Sequence, residues 1–268
     1  MKELKRQIKS WLNNFTPDGK LRRQFPHVFT NKLQNSQDDD FNWRTYNIFY
    51  QNELHLINTQ HTLKLSSGDY VLEENLLIKA QDILPLHPNH RILYETILLL
   101  KPSKLIEFGC GGGDHLFNLQ VLMPHVEILG YDRAIEQLNF ALERSPNLQG
   151  KITEFDLTMP FSSRLSQADV VYTQAVIMHI KTGNGHLVAL ANLFKAAQKQ
   201  VVLMENWAEH HFENDIKFLF DQGMLPWQEI HFYIRRAPEM QQKPHLMIIS
   251  AEPLPFEPLA SYDQLLNI

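Results

Sequence analysis

The chain has 268 residues, 44% hydrophobic and 21% charged, a globular composition that excludes a disordered or fibrous protein. Its net charge of −5 gives no global mark of a nucleic-acid binder. The one cysteine, Cys110, excludes an intramolecular disulfide and a structural zinc site built on two or more cysteines, and it suits a reducing, cytoplasmic compartment.

The length fits one large domain, or one domain with a substantial extension. Composition divides the chain near residue 85. Residues 1–85 are polar, rich in Asn and Gln, and carry scattered aromatics including Trp11, Phe25, Trp43 and Tyr46. They predict a mostly helical extension ahead of the main domain, residues 86–268. Leu4, Ile8, Trp11, Leu12 and Phe15 share one helical face, away from most of Lys2, Lys5, Arg6 and Lys9. Pro17 and Gly19 end that helix. Such a helix can lie on an anionic membrane. It can equally pack on its own domain or on a partner subunit, so a homodimer is among the assemblies it allows. Residues 1–34 hold eight Lys/Arg against Glu3 and Asp18, a local charge of +6. No apolar stretch reaches the roughly eighteen residues of a membrane span, and the N-terminus lacks the apolar run of a signal peptide.

From residue 90 short apolar runs alternate with amphipathic stretches. Arg91–Leu100 reads as a helix ended by Pro102, and Lys104–Phe108 as a strand. Gly109–Gly113 is a turn, and Asp114–Met123 a helix ended by Pro124. Val126–Tyr131, Lys151–Phe155, Asp169–Thr173 and Gln200–Met204 read as strands. Helices are expected at Ala134–Glu143, around His186–Ala197 and at Glu213–Gln222. Glu229–Arg235 and His245–Ser250 follow as strands without a helix between them. Strand–helix alternation predicts right-handed βαβ units and a doubly wound, mostly parallel sheet covered on both faces. The connection Arg236–Pro244 is too short for a parallel crossover, so the last two strands should form an antiparallel hairpin. The expected outline is a Rossmann-like α/β fold of seven strands ending in that hairpin.

Glu107-Phe108-Gly109-Cys110-Gly111-Gly112-Gly113-Asp114 lies between a strand and a helix. Glycines there let the backbone turn tightly and approach a ligand. Such a loop at a sheet's switch point serves dinucleotides or S-adenosylmethionine. The dinucleotide fingerprint GxGxxG/A fails, because its sixth position is Asp114 counted from Gly109 and Leu116 counted from Gly111. A carboxylate at Glu107 would repel a pyrophosphate but suits the ammonium of an amino-acid ligand. A nicotinamide oxidoreductase is therefore disfavoured.

With these residues the chain resembles the class I S-adenosylmethionine-dependent methyltransferases over about residues 90–250. The resemblance rests on Ile106–Gly113 as an acidic-x-Gly-x-Gly-x-Gly loop, on Gly130-Tyr131-Asp132 and Phe155-Asp156-Leu157 at two strand ends, on Asp169–Ile180 (DVVYTQAVIMHI), and on the closing hairpin. It implies S-adenosylmethionine as cofactor, with S-adenosylhomocysteine as product, held by Glu107, Gly109, Cys110, Gly111 and Gly113. Asp132, with Arg133 beside it, would take the ribose hydroxyls; an N-cap of the following helix is the alternative. Asp156 would accept the adenine amine, with the Leu157 N–H beside it. Met159 or Phe161 could cover the ring, or pack in the core. Gln174 and Ala175 would open onto the cofactor.

A neutral acceptor oxygen needs a base near operating pH, commonly histidine. His179, just past the fourth strand of the motif, is the first candidate, against a structural histidine capping that loop. Glu205 is a second candidate base or substrate contact. His210 and His211 follow it in Glu205–His211, where a solvated loop is the alternative. Other subclasses fail by absence. The only cysteine sits in the glycine loop, so no cytosine-C5 nucleophile is available. Thr173-Gln174-Ala175-Val176 is not the tetrad of exocyclic-amine enzymes, and residues 174–187 contain no glutamate pair for arginine methylation. Glu205-Asn206 echoes a metal-dependent pattern, but Gln174 is not an acid, so no metal is expected. What remains is transfer to an oxygen or nitrogen of a small-molecule or glycan acceptor, and the +6 segment suits an anionic one. Gln174–Ile180, the Glu205 loop and Lys243–Met247 resemble methyltransferases of bacterial surface-polysaccharide pathways. The alternatives are an RNA methyltransferase, through the basic N-terminus, and a non-catalytic member of the same fold binding an adenosyl ligand or a partner protein.

Overall fold

The computed structural model describes residues 62–163, 165–237 and 245–266. The expected amphipathic helix and the +6 segment lie outside these residues. The first described elements are strands β1 (Tyr70–Glu73) and β2 (Leu76–Lys79), an antiparallel pair. Between them Glu74 and Asn75 both take positive φ, 47° and 71°, the paired left-handed geometry that matches strand twist in a two-residue hairpin. Where a mostly helical extension was expected, its described part is thus a hairpin. Leu77 and Tyr70 turn inward from it, and the Leu77 amide donates to Glu95 Oε1 at 2.8 Å.

Helix α1 (Pro88–Leu100) begins with proline in its first turn and His87 as N-cap, the His87 Nδ1 accepting from the Asn89 amide at 3.2 Å. It ends at left-handed Lys101, followed by Pro102. Then come β3 (Lys104–Phe108), α2 (Asp114–Leu122), β4 (Glu127–Asp132), α3 (Ile135–Arg144), β5 (Ile152–Glu154), β6 (Ala168–Gln174), α4 (Gly185–Ala196), β7 (Ala197–Met204), α5 (Phe212–Asp221), β8 (His231–Arg236), β9 (His245–Ser250), β10 (Glu257–Pro258) and α6 (Asp263–Leu266). Every strand and helix expected between 90 and 250 is present, with ends moved by a few residues.

Among the described residues the main sheet has eight strands, in the order β10-β8-β9-β7-β6-β3-β4-β5. Strands β3 to β7 are mutually parallel. Strand β9 runs antiparallel between β7 and β8, forming the expected hairpin with β8. The eighth strand, against seven expected, is the two-residue β10 on the outer edge of β8. It is too short to show an alternating pattern in sequence.

Strand alternation sorts the core into two layers. Leu105, Val170, Val202 and Ile248 face one side, with Ile92 and Leu93 of α1 and Leu116 and Leu119 of α2. Ile106, Val171, Val201 and Ile249 face the other, with Leu190 and Phe194 of α4 and Phe212 and Ile216 of α5. Each such fully buried side chain contributes roughly 1.5–3 kcal/mol by leaving water. The end of the described chain closes over the loop after β7. Tyr262 Oη donates to the carbonyls of Trp207 (2.9 Å) and His210 (2.7 Å), and His245 Nε2 lies 2.6 Å from the Leu265 carbonyl. Among the described residues no helix is long and apolar enough to cross a membrane.

Chain order reverses around β3: β4 and β5 lie on one side, β6 and β7 on the other. The carboxyl ends of β3 and β6 therefore diverge into a crevice, the place where open parallel sheets bind ligands.

Candidate active site

That crevice is a cleft of about 300 Å³, within the usual range for small-ligand sites. Its floor is the glycine loop. The amides of Gly109 and Cys110 both donate to the Tyr131 carbonyl, at 2.7 and 3.0 Å, which ties the loop to the end of β4. Gly109 takes φ 76°, and a Cβ there would overlap both methyls of Val176 from the opposite wall. Gly113, also at φ 76°, is the N-cap of α2 and lies against Leu148. Cys110 is buried on the cleft, and burial pushes its thiol well above the ordinary range, as do the charges of Asp132 and Glu107. It is an inert packing group.

Glu107 ends up at the root of the cleft with 1% exposure. Its Oε2 has no hydrogen-bond partner among the described residues. Burial pushes its carboxyl well above the ordinary range; the nearby Tyr172 hydroxyl opposes this, and the charges of Asp132 and Asp114 add to it. A buried acid lacking a partner is costly unless a ligand supplies one. The buried Gln174 Oε1 on the same cleft also has no partner among the described residues.

Asp132 lines the cleft at the end of β4. Its Oδ2 accepts from the Gly111 amide and its Oδ1 from the Ala134 amide, both at 2.8 Å. It supports the glycine loop and the start of α3 while facing the cleft, but the N-cap of α3 is Ala134, not Asp132. The Arg133 amide is a third backbone donor to Asp132, which leaves the carboxylate acceptor capacity for a ligand hydroxyl. Burial raises its pKa, against the pull of the Ala134 and Gly111 amides. Asp156 Oδ1 accepts from the Thr158 amide (2.9 Å) and hydroxyl (2.7 Å), while Oδ2 faces Arg133 Nε at 3.9 Å. Arg133 and Leu157 line the cleft beside it. Asn192 of α4 holds this loop by donating to the carbonyls of Leu157 (2.8 Å) and Met159 (2.7 Å). Phe155 also faces the cleft, whereas Phe161 packs against the core and Met159 is 54% exposed.

The three base candidates are not together. His179 lines the cleft at the end of a 3-10 turn, Ile177–His179. Burial lowers its pKa, Lys181 lowers it further and Glu209 opposes this, so the neutral ring dominates near pH 7. Glu205 lies behind that wall rather than on the cleft. Its Oε1 accepts from the Thr173 hydroxyl at 2.8 Å, and its Oε2 from the Val176 and Met178 amides at 3.0 and 3.1 Å. Burial raises its pKa against these donors. Ala175, between them, takes φ 53°, which costs a non-glycine residue about 1–2 kcal/mol. His210 stacks on His186 at 4.3 Å with 7° between the rings. Burial lowers its pKa, and His186 and Lys181 add to this. It lies next to the cleft-lining segment through Ile180 but does not line the cleft. His211 is the N-cap of α5 and stacks on Tyr262.

Sequence reasoning passed over His90 and His115, which line the cleft from the first turns of α1 and α2, their rings 4.5 Å apart. His115 follows the glycine loop by two residues, a readable cue. His90 carries no such cue, since only the tertiary fold brings α1 there. Gln137, Thr158 and Val176 on the cleft were passed over as well. Among the described residues no group of three His, Cys, Asp or Glu side chains is placed to hold a metal ion.

A family model described as a methyltransferase domain matches residues 100–237. Solved structures similar to the chain include an N-methyltransferase, NodS, from Bradyrhizobium japonicum WM9 in complex with S-adenosyl-L-homocysteine, at 16% identity and a TM-score of 0.45 over 61% of this chain and 88% of that one. The plantazolicin methyltransferase BpumL in complex with SAH matches at 12% identity and a TM-score of 0.43 over 59% and 79%. CalS10 from Micromonospora echinaspora, an amino pentose methyltransferase, matches at 20% identity and a TM-score of 0.38 over 45% and 51%. No curated protein matches the chain.

Proposed function

The chain belongs to the methyltransferase-domain family, and from that premise we propose that its cleft binds S-adenosylmethionine and that the protein methylates an oxygen or nitrogen of a small-molecule or glycan acceptor. The observation that carries this reading is Glu107. A fully buried carboxyl group beside Tyr172, with Oε2 unpartnered among the described residues and at the root of a switch-point cleft, suits a ligand cation that draws off its proton, and the α-ammonium of S-adenosylmethionine is one. The other residues fit the same group. Asp132 offers lone pairs to a ribose diol. Asp156 Oδ2 and the Leu157 amide suit an adenine edge. Gly109, lacking a Cβ, lets the Val176 wall close directly onto the glycine loop.

When bound, S-adenosylmethionine supplies the electrophilic methyl group. The chain's own part is to hold, orient and deprotonate. Aligning two reactants in a closed site removes much of the entropic cost of reaction. His179, kept neutral by burial, can accept the acceptor's proton at its ring nitrogen. His210, stacked on His186 beside the Ile180 end of the cleft and with its Nε2 buried, supports that wall rather than touching the acceptor. Residues 1–85 serve as the acceptor-side cap in this reading, and their basic segment favours an anionic acceptor such as an acidic or phosphorylated sugar. One buried cysteine fits a cytoplasmic enzyme.

Calorimetric titration with S-adenosylhomocysteine, with NADH as control, tests the proposal. Micromolar binding of the first and none of the second supports it; no binding of S-adenosylhomocysteine overturns it. The basic N-terminus also favours RNA as acceptor, and RNA binding that falls steeply with salt would support that second reading.

A further inference from the structure

A left-handed alanine at the mouth of a cleft persists only if its surroundings over-determine it. Ala175 is such a residue: its own amide donates to the Met204 carbonyl at 2.9 Å, and Glu205 holds the residues on either side of it. One carboxylate, 8% exposed, gathers the Thr173 hydroxyl before the alanine and the amides of Val176 and Met178 after it. These donors come from both sides of one turn, so the carboxylate closes the turn like a clasp. Charge-assisted hydrogen bonds to backbone amides are stronger than neutral ones. The turn carries three cleft residues, Ala175, Val176 and His179, between Gln174 and Ile180, which also line the cleft. It also seats the Val176 methyls against Gly109, the first residue of the glycine loop. The His179 amide donates to the Val176 carbonyl at 3.1 Å, so the histidine's place follows from that of Val176.

We propose that Glu205 is a positioning residue: its carboxylate sets the Ala175–His179 turn, and through that turn it places His179 and joins the turn's wall to the glycine loop. This rests on reading the cleft as the S-adenosylmethionine site, but it makes a separate claim about the turn. Glu205 is then neither base nor acceptor contact. A carboxylate already accepting three donors behind the cleft wall has no path to an acceptor proton.

The decisive variant is Glu205→Gln, which keeps the shape but turns an N–H₂ toward groups that are themselves donors. Amide hydrogen exchange is read at Val176 and Met178 and compared with Val201–Leu203 of β7. Exchange at the two turn amides should accelerate by about tenfold or more, and the β7 amides should change less. S-adenosylhomocysteine should bind about tenfold more weakly, with the His179 ring titrating closer to about 6.5 by NMR. Equal acceleration at all five amides, with the His179 titration unmoved, would make Glu205 an ordinary core residue and overturn the proposal. Should the glutamine variant not fold, Glu205→Asp makes the same comparison with the charge kept and the reach shortened. The wild-type chain supplies a reading without any variant, because unprotected amides at Val176 and Met178 would overturn the proposal directly. If the wild type fails to bind S-adenosylhomocysteine while the exchange result stands, the cofactor reading fails and the clasp survives.

Discussion

Val176 and Gly109 occupy each other's space: the valine methyls fill the volume a Cβ on the glycine would need, and the glycine's φ of 76° lies where L side chains rarely go. The two walls of the cleft are therefore in van der Waals contact at their closest point. Gly109→Ala should cost roughly 2–4 kcal/mol of stability, from backbone strain and overpacking together. Gly150→Ala is the control. Gly150 has nearly the same φ, 77°, but nothing within 4 Å of the added carbon, so only the backbone cost of about 1 kcal/mol should appear. Chemical denaturation of both variants checks the difference, and S-adenosylhomocysteine binding should be lost in the first alone.

Glu107 gives a proton signature. Its folded pKa is raised by burial, so the ligand-free protein holds a proton there at pH values where an exposed glutamate has lost it. A ligand ammonium needs the carboxylate, so binding should release that proton. Affinity should then rise with pH up to the raised pKa and level off above it. Calorimetry in buffers of different ionisation heats counts the protons released. Glu107→Gln should abolish the release and weaken binding by roughly ten- to hundredfold, the usual worth of a hydrogen bond to a charged group.

His179 sets the acid limb of turnover. Its pKa is lowered from the ordinary histidine value by burial and by Lys181. A base works deprotonated, so kcat should rise with pH through a value below about 6.5 and be flat at neutral pH. His179→Ala should lower kcat by about a hundredfold or more and remove that limb. A limb that survives the substitution would assign the base elsewhere.

Asp169 lies at the opposite, amino edge of the sheet, far from the cleft in role. Although burial works against it, hydrogen bonds from the Ser103 hydroxyl and amide, the Lys104 amide and Lys199 lower its carboxyl to about 2. A depressed carboxylate adds stability that is present above the unfolded pKa and lost as pH falls through the folded one. The loss should fall between about pH 4 and pH 2 and, with solvent screening at this edge, be on the order of 1 kcal/mol. Acid unfolding of Asp169→Asn against the wild type should show it, with cofactor binding at pH 7 unchanged.

The parallel sheet was legible because its signals are local. Leu105-Ile106 and Val170-Val171 are short apolar runs, and the residues between β8 and β9 are too few for a crossover. The glycine loop and the acids at the ends of β4 and β5 announced the cleft in the same way. The β1–β2 hairpin was missed because its turn is Glu74-Asn75, without the glycine that usually marks a two-residue turn. Glu205 was read as a candidate base because it follows a strand at the ligand-binding edge. Sequence places a residue near an edge, but only the fold decides whether its side chain faces the cleft or turns back beneath the neighbouring loop. His90 was passed over for the complementary reason: nothing in its neighbourhood mentions the glycine loop it meets.

The insertion of β9 between β7 and β8 bears on how the chain is made. A chain emerging from the ribosome completes β7 well before residues 245–250 exist, so the hydrogen-bonding edge of β7 is open through the synthesis of α5 and β8. Open strand edges invite pairing with other chains. The β7 loop, moreover, is closed by Tyr262, later still. The edge of β7 is thus covered only once β9 appears, and the unfinished chain carries an exposed strand edge until then.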